Sequence, residues 1–531
     1  MTTRGSAEPV RRGRRPLALG VLVAVLFVTF LDNTIVSVAL SSVQTDLHAG
    51  VTALQWVVSA YVLTFAAAML GFGMVGDEFG RKRVMLIGVG LFCAGSLLSA
   101  LAPNAGVLIA GRAVMGLGAA ASEPGTLSML RHLYTDERTR TRAVGVWAGV
   151  SGLALAVGPV VGGALVGIWD WRAIFWFNVA FGLAALVAGA IVLAESADPD
   201  AHRVDAGGTF LGAAALTALI FAVIGGEDSG FGTAMVIALL ALSAVAAAAF
   251  FWWESRAAHP LLDLRYLRMP SFLTANVVAF CSYFATFAVF FFTALYLAEV
   301  VGYSGYQIAL VFLPMAVLMI AASLLAGRWT TVAGPRWSIF IGCVLFGAGL
   351  LVTTETLSPH PAYVPLALAL ALAGIGIGTT VVPITSSAMT AVPAERSGMA
   401  ASATNTSREI GAVAGVAILG ALINGQLHSS LIGRLRELGI PASFQSIVIN
   451  GVETGAVPSS GSTSSAGPAG EGKLVQEVIG AAYSAFYSGL HAALFVSGFL
   501  VLAAGVFAFL TLGGQRRSSS RPAPSPAEAR R

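Results

Sequence analysis

An all-α polytopic membrane protein with fourteen transmembrane helices is the fold class this sequence predicts, and three observations carry it. The first is composition: 531 residues of which 56% are hydrophobic and 11% charged, with a mean hydropathy of +0.82, exclude a soluble globular chain of this length. The second is a succession of apolar runs, each near the roughly 20 residues that cross a bilayer core as helix. The third is the placement of Lys and Arg in alternate connecting segments, the pattern that sets membrane orientation.

The runs fall near 17–41, 54–75, 83–102, 106–130, 143–168, 174–194, 208–225, 233–253, 271–298, 306–327, 337–354, 362–390, 398–424 and 479–512. Arg11, Arg12, Arg14 and Arg15 precede the first run, which is too long for a signal-peptide core and is read as a retained helix. With residues 1–16 placed in the cytoplasm, 25 of the 30 Lys and Arg fall in inner segments, Arg396 and Arg408 among them. Both termini are therefore expected in the cytoplasm, in a cell membrane. The net charge of +4 serves this topology; no basic patch interleaved with aromatics marks a nucleic-acid partner. Cys93, Cys281 and Cys343 lie within apolar runs without a CxxC or Cys/His cluster, so neither a disulfide framework nor a metal site is expected.

An internal repeat organises the runs. Gly73 and Gly80 stand seven apart before Arg81-Lys82 after the second run, and Gly327 and Gly334 stand seven apart before Pro335-Arg336 after the tenth. Equating these loops gives two six-helix halves, 17–194 and 271–512, with the seventh and eighth runs as a pair inserted within 195–270. A long outer segment, 425–478, holds Leu427, Leu431, Leu435 and Leu438 on one helical face, read as a short amphipathic helix, and a flexible linker from Ser459 to Gly472. Residues 513–531 read as a basic tail.

Charges inside the runs are the candidate chemistry, because each is costly unless it faces protein or water. Asp32, in FLDNTIVSVAL, is followed by eight residues, Asn33 to Leu40, that continue the helix. Arg112 lies about 9 Å from the outer end of the fourth run and Asp32 about 14 Å from that of the first, so the two are level within boundary error. Arg112 either serves Asp32 or clamps backbone carbonyls. Glu123 follows Arg112 by eleven residues, nearly three turns, and shares its face. Asn405 and Glu409 share a face of the thirteenth run. The loop Gly73–Arg83 packs Asp77, Arg81 and Lys82 between glycines, either as a topology signal or as a conformational latch. In the fifth run Pro159 is surrounded by Gly158, Gly162 and Gly163, suiting close helix approach and a pliable contact between bundles. Tyr283, Phe287 and Phe290 of the ninth run face lipid, the favoured reading, or line a site for flat lipophilic cations.

These motifs resemble the major facilitator superfamily, specifically its fourteen-helix drug:proton antiporters of the EmrB/QacA type, over nearly the whole chain. LDNTIVSVAL is similar to that branch's first-helix motif; Gly73, Asp77, Gly80, Arg81 and Lys82 match the superfamily's loop motif; Arg112, Gly116 and Gly118 match its fourth-helix motif. Gly158, Pro159, Gly162 and Gly163 match the antiporter motif. The chain departs from the pattern at Glu78, where arginine is common, at Met115, where glutamine is, and at Ala154, where glycine is. The resemblance implies two six-helix bundles plus the inserted pair, and proton-coupled export of drugs or toxic lipophilic, often cationic, compounds by alternating access. It implies a proton site at Asp32 tuned by Arg112, with Glu123 or Glu409 binding cation or proton nearer the cytoplasm. The proton gradient is then the driving force and no cofactor is expected. Proton-coupled export dedicated to one endogenous metabolite or antibiotic, as self-resistance, is the alternative; uptake by symport and a non-transporting sensor rank lower. An enzyme is not expected, since no nucleophile, base and orienting acid recur at a plausible spacing.

Overall fold

The computed structural model describes residues 15–134, 136–196, 205–257, 260–393, 397–437 and 471–514. Among them, fourteen helices are long and apolar enough to cross a membrane. They are α1 Arg15–Leu47, α2 Val51–Phe79, α3 Arg81–Ala100, α4 Ala105–Leu133, α5 Glu137–Ile168, α6 Arg172–Val192 and α7 Ala206–Ser229. The rest are α8 Ala234–Glu254, α9 Pro270–Glu299, α10 Gly305–Ala333, α11 Pro335–Thr356, α12 Tyr363–Thr390, α13 Ser397–Glu437 and α14 Glu471–Thr511. The side on which α1 begins is called the near face below, and the opposite side the far face.

The helix ends follow from local chemistry. Asn104, Asp136 and Asp205 accept backbone N–H bonds at the starts of α4, α5 and α7, and Ser304 with Gln307 forms a capping box on α10. Gly80 and Gly334 each close one helix and open the next, with φ of 108° and 82°, values that favour glycine. Each donates its N–H to the carbonyl four residues back, Gly76 and Thr330, so the two loops equated by the sequence repeat share a backbone conformation.

Helices α1 to α6 pack on one another, as do α9 to α14, and the pair α7–α8 lies against α2 and α13. Two helix pairs join the halves: α5 packs along α10, and α2 along α13. Apolar side chains cover the flank of α7 and α8, where Phe210 is 72% exposed, and α9 is buried at every position from Cys281 to Leu297.

Three expectations change. The first run does not stop near residue 41: α1 passes through a tighter turn at Val36–Ala39 and continues to Leu47. The short amphipathic helix is the continuation of α13, a 41-residue helix about 62 Å long, twice a bilayer core. Leu427, Leu431 and Leu435 bury themselves on Ala481, Ala482 and Ala485 of α14, which likewise begins earlier than expected, at Glu471. Leu438, most of the Ser459–Gly472 linker and the tail from 515 lie outside the described residues.

Candidate functional site

Two buried polar clusters occupy the core. The first holds Asp32 and Arg112, 0% and 1% exposed, joined by an ion pair in which Nη1 of Arg112 donates to Oδ2 of Asp32. The other carboxylate oxygen accepts from Nδ2 of Asn178 on α6 at 2.7 Å. Nε of Arg112 donates to the Val57 carbonyl at 2.9 Å, and the guanidinium lies 4.5 Å over the Tyr61 ring. Tyr61 is fixed in turn by donating to the Thr29 carbonyl at 2.9 Å. Arg112 thus does both things left open by its sequence: it pairs with the acid and clamps a carbonyl of α2. Paired and hydrogen-bonded charges can persist in a low-dielectric core where a lone charge cannot. Met115, in the place where glutamine is usual, sets its sulfur 4.0 Å from Nη1 of Arg112 and accepts from Ser99.

The second cluster spans the two halves. Glu123, on α4, accepts at Oε1 from Nδ2 of Asn405, on α13, at 2.5 Å. Oδ1 of Asn405 accepts from Arg408 at 2.9 Å, and Arg408 also donates to the Thr385 hydroxyl at 2.6 Å. Glu409, 1% exposed, lies close to Asn33, the neighbour of Asp32, without a well-aligned hydrogen bond. Among the described residues, Oε2 of Glu123 and Oε2 of Glu409 have no protein partner. The arrangement leaves two acceptor oxygens at the junction of the halves, able to take a proton or a cation.

Arg408 corrects the charge count made from sequence. It was assigned to a cytoplasmic segment, yet it is 1% exposed inside α13, because that helix begins at Ser397 and carries the polar stretch NTSRE into the core. The aromatic trio is also placed differently from the favoured reading. Tyr283, Phe287 and Phe290 are 4%, 4% and 2% exposed, turned into the protein and not toward lipid, with the Arg408 guanidinium 5.5 Å over Tyr283.

The loop after α2 binds the end of α6. Arg81 N–H donates to the Ser196 carbonyl at 2.9 Å, and the N–H groups of Lys82 and Arg83 donate to Glu195 at 3.0 and 3.2 Å. Nζ of Lys82 donates to the carbonyls of Ala190 and Leu193 at 2.9 and 2.6 Å, satisfying the C-terminus of α6. Gly73 abuts α13: a Cβ there would stand 3.8 Å from the Ser402 hydroxyl. The Asp77 side chain lies outside the described ones.

The glycine motif of α5 serves two neighbours. Side chains added at Gly158 and Gly162 would meet Thr34 and Ile35 of α1, and one at Gly163 would meet the Gly305 carbonyl of α10. Pro159, buried beside them, lies between these contacts with the first half and the second.

Sequence reading missed Asn178, Arg408, Thr385 and Glu195. A lone amide within the apolar run RAIFWFNVAF was the available signal for Asn178, and the acid closing the sixth run, opposite Lys82, was that for Glu195.

The family model of the Major Facilitator Superfamily matches residues 22–416. Multidrug resistance protein Stp of Mycobacterium tuberculosis is 34% identical over 424 residues, 80% of this chain and 78% of that protein. Tetracenomycin C resistance and export protein of Streptomyces glaucescens is 30% identical over 505 residues, 94% and 92% of the two chains. Puromycin resistance protein pur8 of Streptomyces alboniger is 34% identical over 420 residues, 78% and 82%. Among solved structures, a bacterial homolog of the human lysosomal transporter Spinster, inward-facing and unoccupied, superposes with a TM-score of 0.62 at 16% identity, covering 94% of this chain and 97% of its own.

Proposed function

The chain belongs to the Major Facilitator Superfamily, and from that premise we propose that it is a proton-coupled antiporter that exports drugs or other toxic lipophilic compounds by alternating access. The family points to a transporter, and relatives are named as multidrug and antibiotic resistance proteins and as a multidrug efflux pump. The observation that carries the coupling is the Asp32–Arg112 ion pair, buried among helices α1, α2, α4 and α6. Protonation of Asp32 cancels its charge and removes the ionic attraction to Arg112, which keeps its contacts to Val57, Tyr61 and Met115; loss of the proton restores the pair. A local charge change of this kind biases a two-state element. The second step is assigned to the Glu123–Asn405 contact, which ties the halves together. A cationic substrate or a proton on Glu123 or Glu409 competes with that contact and so couples occupancy to separation of the halves. The near face is assigned to the cytoplasm, where the Gly73–Lys82 loop acts as latch and the proton gradient supplies the driving force.

Export of a single antibiotic by its producer is a second reading, supported by relatives named for tetracenomycin C and puromycin. A panel of antibiotics and lipophilic cations, tested for efflux in a pump-deficient host with and without a protonophore, separates the readings. Broad export abolished by the protonophore supports the first, and export of one compound class the second. Export that persists after collapse of the proton gradient contradicts proton coupling.

A further inference from the structure

A slot of about 870 Å³ lies between α2, α4 and α7, and Asp32, Arg112, Glu123 and Glu409 are not among its lining residues. Small side chains make it: Ala60, Ala67 and Ala68 on α2, Ala113 on α4 and Ala213 on α7. It cannot close by collapse, because α7 is pinned at both ends. At one end the Trp56 and Phe221 rings meet at a tilt of 51° with centroids 4.5 Å apart; at the other, a Cβ on Gly71 would meet Thr209 at 2.6 Å. α7 also packs on α13, with Leu216, Ile220 and Val223 facing Ile410 and Val413 across a second, smaller gap.

The slot opens sideways, past Phe210 and Phe221, which are 72% and 44% exposed on the flank of the bundle. From Trp56 to Val75 it follows nineteen residues of α2, about 28 Å at 1.5 Å per residue, which matches the roughly 30 Å of bilayer hydrocarbon. Among the described side chains none that lines it is charged, and two of its hydroxyls are committed to backbone: Thr64 to the carbonyls of Ala60 and Ala113, Thr209 to that of Asp205. A lipophilic cation would find no counter-charge there, and water too few partners.

We propose that this slot is a binding site for phospholipid acyl chains, which fill the space between the inserted pair and the first half. The bound chain packs against Ile109 and Ala113, on the flank of α4 adjacent to the one that carries Arg112, and against Trp56, next to the residue whose carbonyl holds that guanidinium. The inserted pair and the lipid together form one wall of the transporter.

The test reconstitutes the full-length protein in dioleoyl phosphatidylcholine or its dibrominated analogue and reads Trp56 emission as the difference between the parent and Trp56→Phe. Brominated chains are expected to quench that component at least twofold. The filling pair Ala60→Leu/Thr217→Leu is expected to recover at least half of it without changing elution on size exclusion; if the pair does not fold, Ala60→Ile alone is used. Equal quenching in parent and filled proteins would place lipid only on the outer surface and overturn the proposal. Relief of the quenching by an added lipophilic cation such as ethidium would make the slot a substrate site and overturn it as well.

Discussion

At the scale of single residues, the centre of the account is a carboxylate with two side-chain partners. Asp32 receives Arg112 on one oxygen and Asn178 on the other. A hydrogen bond to a charged group contributes about 1.5–3 kcal/mol, and about 1.4 kcal/mol is tenfold in an equilibrium. Asn178→Ala is therefore expected to slow proton–substrate exchange in proteoliposomes roughly tenfold while leaving substrate binding near the parent value; unchanged exchange would mean that the amide only fills space. Asp32, Arg112 and Glu123 were legible in sequence because a charge in an apolar run is conspicuous. Asn178 was not, since a neutral amide in a membrane helix is unremarkable until its partner is known. Arg408 was misplaced for a different reason: the polar stretch NTSRE mimics a helix boundary, and only tertiary packing on Thr385 and Asn405 shows it to be interior.

At the scale of elements, α5 and the loop after α2 bear the tightest constraints. A side chain at Gly158 would meet Thr34, whereas a Cβ at Gly149 on the same helix meets nothing within 4 Å among the described residues. Gly158→Leu is expected to cost about 1–3 kcal/mol through overpacking and to abolish export, with Gly149→Ala unaffected in both thermal stability and transport. Equal behaviour of the two would remove the packing argument for the motif. Glu195 caps α3 from outside its own helix, through the N–H groups of Lys82 and Arg83. Glu195→Ala should cost about 1 kcal/mol, read as a lowered unfolding midpoint, and Glu195→Gln should recover part of it. The element order and the loop pair at Gly80 and Gly334 were readable from hydropathy and glycine spacing. The far-face continuations of α13 and α14 were not, because their lengths are set by burial of Leu427, Leu431 and Leu435 on each other's surfaces and not by membrane thickness.

At the scale of the whole molecule, alternating access requires the two halves to part on each side in turn, and the far end of α5 against α10 is one of the contacts that must open. A Cβ on Gly167 would lie 3.2 Å from that of Tyr306, close to the 3.5–4.5 Å of a disulfide. In a background with Cys93, Cys281 and Cys343 replaced, Gly167→Cys with Tyr306→Cys should cross-link on oxidation, stop transport, and recover on reduction; transport that continues through the cross-link would exclude opening at this contact. The central claim is that Asp32 carries the coupled proton. Its most direct test is proton flux driven by substrate in proteoliposomes containing Asp32→Asn, alongside substrate binding to the same preparation. The account predicts binding within a few-fold of the parent and no proton movement; proton flux at the parent rate would contradict it.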